Sequence, residues 1–511
     1  HEKFIKNMLA GVMGIDIVLL VIAADEGVMP QTKEHLAILN LLGIEKGFIV
    51  LTKSDMVDEE WLELVKEDVR EQVIGSFLEN SPIIPVSSIK KTGIKEVTEL
   101  IDELTIGLED RETDDMPRLP VDRVFSMSGF GTVVTGTLLS GVLNTGDEIQ
   151  VFPGNKIGRI RSLQVHDAPT PTAYAGQRVA INIAGLKKGE VDRGDVVAPK
   201  DSMKETLMLD VKVKLIEDVN RTIENRTRVR LYIGAKEVLC RIVLLDKEVL
   251  NPGEEGYAQL RLEEEVVAKR GDRFIIRFYS PMFTIGGGVI LEPNPTKKKR
   301  FDEAAIKELE IKEEGEAIDI IEKIIFDNSK TFPTIKEIST TTAMLEEKVK
   351  EDVETLSKNN KVVIFSLTKD LHVIHMDYFN NMKEKILKEL EIFHNKYPLR
   401  AGASKEEIRS RFLNNAKPRV GERFIDLLIE KGLIQQNMEN VHLKGFEIQY
   451  NDIQLKIKDG LIKIYEDNKF IPPKKEELPK ILGHDSSQVE EVINSLINNG
   501  EIIKLNEEIY L

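Results

Sequence analysis

The 511-residue sequence predicts a multidomain chain: a parallel α/β domain of the doubly wound type, two antiparallel β-barrels, then tandem winged-helix domains. Three patterns carry that expectation. Apolar β-branched runs alternate with helical periodicity over residues 1–105. Period-two alternation with Gly and Asp turns follows as far as Leu291. The remainder holds a weak repeat in which a helix ends on a leucine and passes into a short strand pair.

In chain order, residues 17–24 form a continuous apolar run, as expected of a parallel strand buried on both faces. Asp25-Glu26-Gly27 turns the chain, Pro30 suits the start of a helix over 31–42, and Gly43 stops it. Strands over 48–51 and 83–86 then alternate with helices over 59–75 and 94–104. Such crossover units build a parallel sheet whose ligands lie at the carboxyl ends of its strands. This first domain spans 1–110, and the charged stretch 109–115, bounded by Pro117 and Pro120, reads as a linker. Arg228-Val229-Arg230-Leu231 and Arg273-Phe274-Ile275 typify the alternation beyond it, which is long enough for two barrels, 117–200 and 204–293. Pro293-Asn294-Pro295 ends the β region and Lys297-Lys298-Lys299-Arg300 opens a helical one. The repeat recurs at Leu356, Leu428 and Leu496, giving winged helices over 301–377, 378–445 and 446–511. Units of this size are small domains rather than solenoid repeats.

Composition narrows the function classes. The chain is 41% hydrophobic and 31% charged, which is ordinary globular composition. One cysteine, Cys240, provides neither an internal disulfide nor a Cys-rich metal site and suits a reducing cytosol. The longest apolar run is far short of the roughly 20 residues of a membrane helix. A net charge of −16 excludes a uniformly basic surface, so nucleic-acid binding would rest on local patches.

Two motifs stand at ends of consecutive strands. Thr52-Lys53-Ser54-Asp55 combines a lysine whose stem can lie along a purine face with a carboxylate two residues on. A carboxylate there accepts from the ring N–H and exocyclic amine of guanine, a pair of donors that adenine does not offer in that arrangement. Ser87-Ser88-Ile89 follows the next strand, where backbone N–H groups suit the guanine oxygen. Either motif alone reads equally as a polar cap on a strand-to-helix turn; together on one sheet they point to guanine.

The run from His1-Glu2-Lys3-Phe4-Ile5-Lys6-Asn7-Met8-Leu9 through Ala23-Ala24-Asp25-Glu26-Gly27-Val28-Met29-Pro30-Gln31-Thr32-Lys33-Glu34-His35 resembles the translational GTPases of the elongation factor Tu class. The likeness continues through Gly129-Phe130-Gly131-Thr132-Val133-Val134-Thr135-Gly136. Thr-Lys-x-Asp in place of Asn-Lys-x-Asp, together with the winged-helix tail, is similar to the bacterial selenocysteine-specific branch of that class. The resemblance covers essentially the whole chain and makes the first domain part of a P-loop-type G domain. It implies a GTPase that delivers selenocysteyl-tRNA to the ribosome at a recoded stop codon, tethered by the tail to a selenocysteine-insertion hairpin in the mRNA. It implies GTP as substrate and Mg²⁺ as cofactor, and a cytoplasmic monomer with no membrane contact.

The resemblance also assigns residues. His1 would orient or polarise the attacking water, a positional role, because phosphoryl transfer depends chiefly on alignment and electrostatics. Asp122, Arg123 and Arg178 would surround the aminoacyl group. A selenol is more acidic than a thiol, whose reference pKa is about 8.5, so selenocysteine is largely an anion at neutral pH. Two guanidinium groups favour that anion, and a carboxylate can orient one of them; the other reading is an Arg–Asp surface pair worth little. In the family an Asp-x-Pro-Gly motif precedes the position of His1, and a G-x-x-x-x-G-K-[ST] loop lies further upstream. Neither is in this sequence, and three winged helices are visible where the family carries four. The expectation is therefore a fragment, inactive alone, whose Mg²⁺ ligands and phosphate site lie outside it, with no metal ligands within it.

Other features carry less. Gly129-Phe130-Gly131 lacks the third glycine of a dinucleotide loop and runs into a strand. Gly286-Gly287-Gly288 reads as a bulge or tight bend. His372 and His375 stand three apart in an expected strand, hence on opposite faces rather than as a metal pair. Arg400, Arg409, Arg411, Lys417 and Arg419, with Lys474, Lys475 and Lys480, offer phosphate contacts, although interleaved glutamates equally describe a solvated charged face. Two rivals remain. One is a general aminoacyl-tRNA carrier, which would show Asn at position 52 and no tail. The other is a non-catalytic RNA-binding adaptor on the same scaffold.

Overall fold

A computed structural model of the chain describes residues 5–12, 14–106, 108, 111, 113–127, 131–187, 189–280, 282–367, 370–468 and 472–503. It divides into one unit of residues 1–317 and 339–349 and a second of residues 318–338 and 350–511.

The first unit opens with α1 (Ile5–Val12), β1 (Val18–Ala23), α2 (Pro30–Leu41), β2 (Gly47–Thr52), α3 (Glu59–Gln72), β3 (Ile83–Pro85) and α4 (Ile94–Ile106). The three strands are parallel in the order β1-β2-β3. The central strand is buried throughout its apolar run, Phe48 and Val50 facing α4 and Ile49 and Leu51 facing α2 and α3. The expected burial of the first strand on both faces holds on one only: Leu20 and Ile22 are buried, but Val21 is 58% exposed. Among the described residues β1 pairs with β2 alone, and on the α4 side of the sheet Leu19 is the β1 residue that joins the cluster.

The first barrel begins with β4 (Leu119–Met127) and β5 (Gly131–Thr137). Its strand order is Arg178–Ala184, β5, β4, Val196–Pro199, Glu148–Phe152, Lys156–Val165, and the last pairs back onto Arg178–Ala184. Inward side chains including Leu119, Val121, Val134, Ile149, Leu163 and Ile181 fill it. The second barrel closes through Thr206–Leu215, Glu255–Val266, Lys236–Leu244, Arg228–Ile233, Arg273–Phe278 and Thr284–Glu292. The glycine triplet lies inside that last strand. A β-carbon at Gly288 would meet Lys212 O at 1.9 Å and one at Gly287 would meet Phe274 O at 2.4 Å, so the triplet permits close strand approach. The register shift falls beside it, between Ile276 and Arg277 of the neighbouring strand.

α5 (Glu303–Glu314), in the stretch read as the first winged helix, packs on the second barrel. Leu309 joins Val243, Leu245 and Leu291, while Lys312 lies 2.9 Å from Glu292. The tail continues with α6 (Ala317–Asn328), α7 (Ile335–Thr342) and α8 (Glu346–Lys358), then the strand pair Val362–Ser366 and Leu371–His375. Next come α9 (Met376–Lys396), α10 (Lys405–Phe412), α11 (Pro418–Glu430) and the strands Ile434–Asn437 and Asn440–Leu443. α12 (Asp452–Asp467), α13 (Leu478–Leu482) and α14 (Ser486–Asn498) complete it. Phe332, Phe365, Phe379 and Phe424 join the first two strand pairs and their helices in one core, whereas Ile457, Leu461, Val492 and Leu496 form a separate one.

The leucine repeat has a physical origin. Leu356, Leu428 and Leu496 are buried, and each stands four residues before a residue of positive φ: Asn360 at 56°, Gly432 at 66° and Gly500 at 73°. The N–H groups of Lys361, Leu433 and Glu501 donate back to those leucine carbonyls at 2.9, 3.0 and 2.9 Å. This is the left-handed helix stop in which an Asn or Gly turns the chain and the next N–H closes the last turn. After Leu356 and Leu428 it turns the chain toward a strand pair; after Leu496 no strand is found among the described residues, and the rest of the expected third wing lies outside them. His372 and His375 are both buried. His372 Nδ1 lies 2.6 Å from Phe332 O, and His375 caps α9 by accepting from Asp377 N.

Candidate functional site

Two clusters concentrate the chemistry. The first lies at the carboxyl ends of β1, β2 and β3. Thr52 ends β2, and its hydroxyl donates to Ile22 O at 3.3 Å, tying β2 to β1. Lys53 follows at φ 55°, in the left-handed region, so the chain turns sharply as it leaves the strand. Its ammonium donates to both carboxylate oxygens of Asp25, at 3.0 and 2.9 Å, and to Glu26 at 3.0 Å. Those bonds, Asp25 first, hold its pKa above the ordinary lysine value.

Asp55 is half-buried, and a hydrogen bond from the Ser87 side chain holds its carboxyl below the usual carboxylate range, keeping it an acceptor. Ser54 N donates to Val86 O at 3.2 Å, which joins this turn to the one after β3. Ser87 is fully buried, exchanges backbone bonds with Thr92, and accepts from Lys90 N at 3.0 Å through its hydroxyl. Its N–H is therefore engaged. The N–H groups of the exposed Ser88 and Ile89 have no partner among the described residues. Ile89 is itself 80% exposed. The arrangement brings an ionised acceptor, a lysine and two backbone donors to the carboxyl ends of neighbouring strands. His1 lies outside the described residues; α1, which follows it, sets Leu9 against Ile38 of α2 and Tyr232 and Ile275 of the second barrel. Among the described residues no group of three or more His, Cys, Asp or Glu is placed to hold a metal ion.

The second cluster lies on the outer face of the first barrel. Val121 pairs with Gly136 and Arg123 with Thr135, so Asp122 is an extra residue, a β-bulge in β4. The bulge turns two consecutive side chains outward between the inward Val121 and Val124. Arg178 pairs with Thr137, on the other side of β5. The three residues therefore share one face, Arg123 and Arg178 flanking β5 diagonally. Arg178 Nη1 donates to Asp122 Oδ2 at 2.6 Å, with the Asp122 side chain 10% and the Arg178 side chain 49% exposed. Arg123 is exposed and forms no ion pair with a described residue.

In the tail, Arg409 pairs with Glu406, Arg411 with Glu389 and Lys475 with Glu490, while Arg400 stacks on Tyr397. Lys417 and Arg419 stand exposed at the start of α11 without an ion pair among the described residues. Sequence reasoning missed Asp25, Glu26 and Thr135 as parts of these clusters. The first two carried a signal, since they follow a strand at its carboxyl end; the position of Thr135 opposite Arg123 depends on the bulge.

Comparisons with known proteins agree with this layout. Residues 1–106 match the elongation factor Tu GTP binding domain, 131–198 elongation factor Tu domain 2, 209–297 the β-barrel domain of selenocysteine-specific elongation factor, and 387–443 the winged helix of elongation factor SelB. The chain is 34% identical over 516 aligned residues to the selenocysteine-specific elongation factor of Desulfomicrobium baculatum, covering 100% of this chain and 80% of that protein. It is 28% identical to the protein of the same description from Haemophilus influenzae, covering 88% and 70%. Its fold matches a crystal structure of a bacterial selenocysteine-specific elongation factor with a TM-score of 0.67 at 23% identity, covering 99% of this chain and 88% of that one.

Proposed function

The chain belongs to the selenocysteine-specific elongation factors, translation factors whose first domain is a GTPase of the elongation factor Tu class, and we propose that it delivers selenocysteyl-tRNA to the ribosome at a recoded stop codon. The observation that carries this reading is the Asp122–Arg178 pair beside Arg123 on one face of the first barrel. Two guanidinium groups on that face favour a selenolate over the neutral hydroxyl of serine, the precursor on the same tRNA. Asp122 fixes where one of them points.

The rest of the machinery belongs to the same reading, in which the family resemblance assigns the roles of His1 and Mg²⁺. Asp55 accepts the two donors of guanine, the Lys53 stem lies along the base, and the Ser88 and Ile89 N–H groups take its oxygen. His1 orients the water that attacks GTP. Mg²⁺ belongs with phosphate-loop ligands of the kind that the family carries upstream of His1, where it would neutralise charge on the phosphates. Lys417 and Arg419 give the tail a phosphate-binding edge toward an mRNA hairpin. Such a tether raises the effective concentration of the complex at one codon. The factor works as a cytoplasmic monomer.

The test uses the full-length gene product with GTP. Selenocysteyl-tRNA should bind at least tenfold more tightly than seryl-tRNA, and ribosomes programmed with the hairpin-bearing message should stimulate hydrolysis. No turnover even on such ribosomes would favour a non-catalytic RNA-binding adaptor, and equal affinity for the two tRNAs would remove the aminoacyl pocket.

A further inference from the structure

The hydroxyl of Thr135 donates to Asp122 Oδ1 at 2.7 Å, while Arg178 holds Oδ2 of the same carboxylate at 2.6 Å. Asp122 is thus gripped from two sides, one grip coming from the strand between the two arginines. The register places Thr135 to do this. Arg123, Thr135, Ala180 and Gln164 stand opposite one another across four adjacent strands. Ala180 contributes only a methyl group to that row, and Thr135 is the member of it whose bond to the carboxylate is seen among the described residues. A bulge leaves its extra residue outside the regular pairing, and Asp122 therefore needs a side-chain anchor if its second oxygen is to aim Arg178 in one direction.

We propose that Thr135 is a positioning and specificity-determining residue that holds Asp122 so that Arg178 faces the aminoacyl group of the bound tRNA. The inference rests on the selenocysteyl reading of this face. Thr135 itself touches no ligand; it acts through Asp122.

Equilibrium affinities of the GTP-bound full-length gene product for selenocysteyl-tRNA and seryl-tRNA test it, with wild type beside Arg178→Ala, Thr135→Val and Thr135→Ser. Valine keeps the branched shape that a strand favours and removes only the hydrogen bond. Thr135→Val should weaken selenocysteyl-tRNA binding about tenfold, the lower end of the usual range for one hydrogen bond to a charged group, and leave seryl-tRNA binding within about twofold. Thr135→Ser should restore the wild-type ratio. If Arg178→Ala narrows the gap between the two tRNAs but Thr135→Val does not, the positioning role is overturned and the pocket stands. If Arg178→Ala leaves the gap unchanged, the pocket reading falls and the inference with it. Equal weakening of both tRNAs by Thr135→Val, unrescued by serine, would mean a structural role in the barrel only.

Discussion

Ser87 shows how one buried hydroxyl serves two turns. It accepts from Lys90 N, which closes the loop after β3, and donates to Asp55 at the end of the neighbouring strand. The carboxylate proposed to read the base is therefore held by a residue that follows another strand. Replacing Ser87 by Ala should raise the dissociation constant for GDP about fivefold while leaving ADP unbound, measured by fluorescent-nucleotide titration of the full-length gene product. An unchanged GDP affinity would remove Ser87 from the site. Asp55 is legible in the sequence because its spacing from Lys53 is local. The grip of Asp25 and Glu26 on the Lys53 ammonium is a meeting of two strands and is not. Asp122 and Arg178 lie 56 residues apart, and only strand pairing makes them neighbours.

At the scale of elements, the repeat in the tail was readable because a left-handed stop demands Asn or Gly at a fixed distance after a buried leucine. The wing of the second winged helix depends on something less local. His394 of α9 accepts from Leu443 N at 3.2 Å through Nε2 and stacks on Phe446 at 3.6 Å between ring centroids. Burial, reinforced by His442, lowers its pKa to about 4. An imidazolium would set a donor against the donor of Leu443, so the folded state favours the neutral ring. Between the ordinary histidine value of about 6.5 and about 4, the unfolded chain binds the proton first. The stabilisation is therefore complete above pH 6.5 and lost as pH falls toward 4. Allowing for partial solvent screening, the loss should be about 1–2 kcal/mol. Urea unfolding at pH 7, 5.5 and 4.5 checks it: His394→Phe should flatten the acid side of the profile, and an unaltered slope would exclude this histidine as its source.

For the whole molecule, the division into two units predicts two unfolding transitions in calorimetry, since each unit has its own cores. Gly288→Ala drives a methyl group against Lys212 O and should lower the transition of the first unit by about 1–3 kcal/mol. His394→Phe should move only that of the second. A single transition shifted by both substitutions would overturn the division. The sequence by itself determined the succession of fold types, the strand and helix periods, the place of the Thr52–Asp55 motif at a strand end and the helix stops of the tail, because each depends on neighbours within a few residues. Tertiary structure alone decided that α5 belongs with the second barrel and that Asp122, Thr135 and Arg178 form one chain of hydrogen bonds. Those outcomes depend on strand order, register and a single extra residue in β4, and a one-residue change of register turns every outward side chain of a strand to the other face.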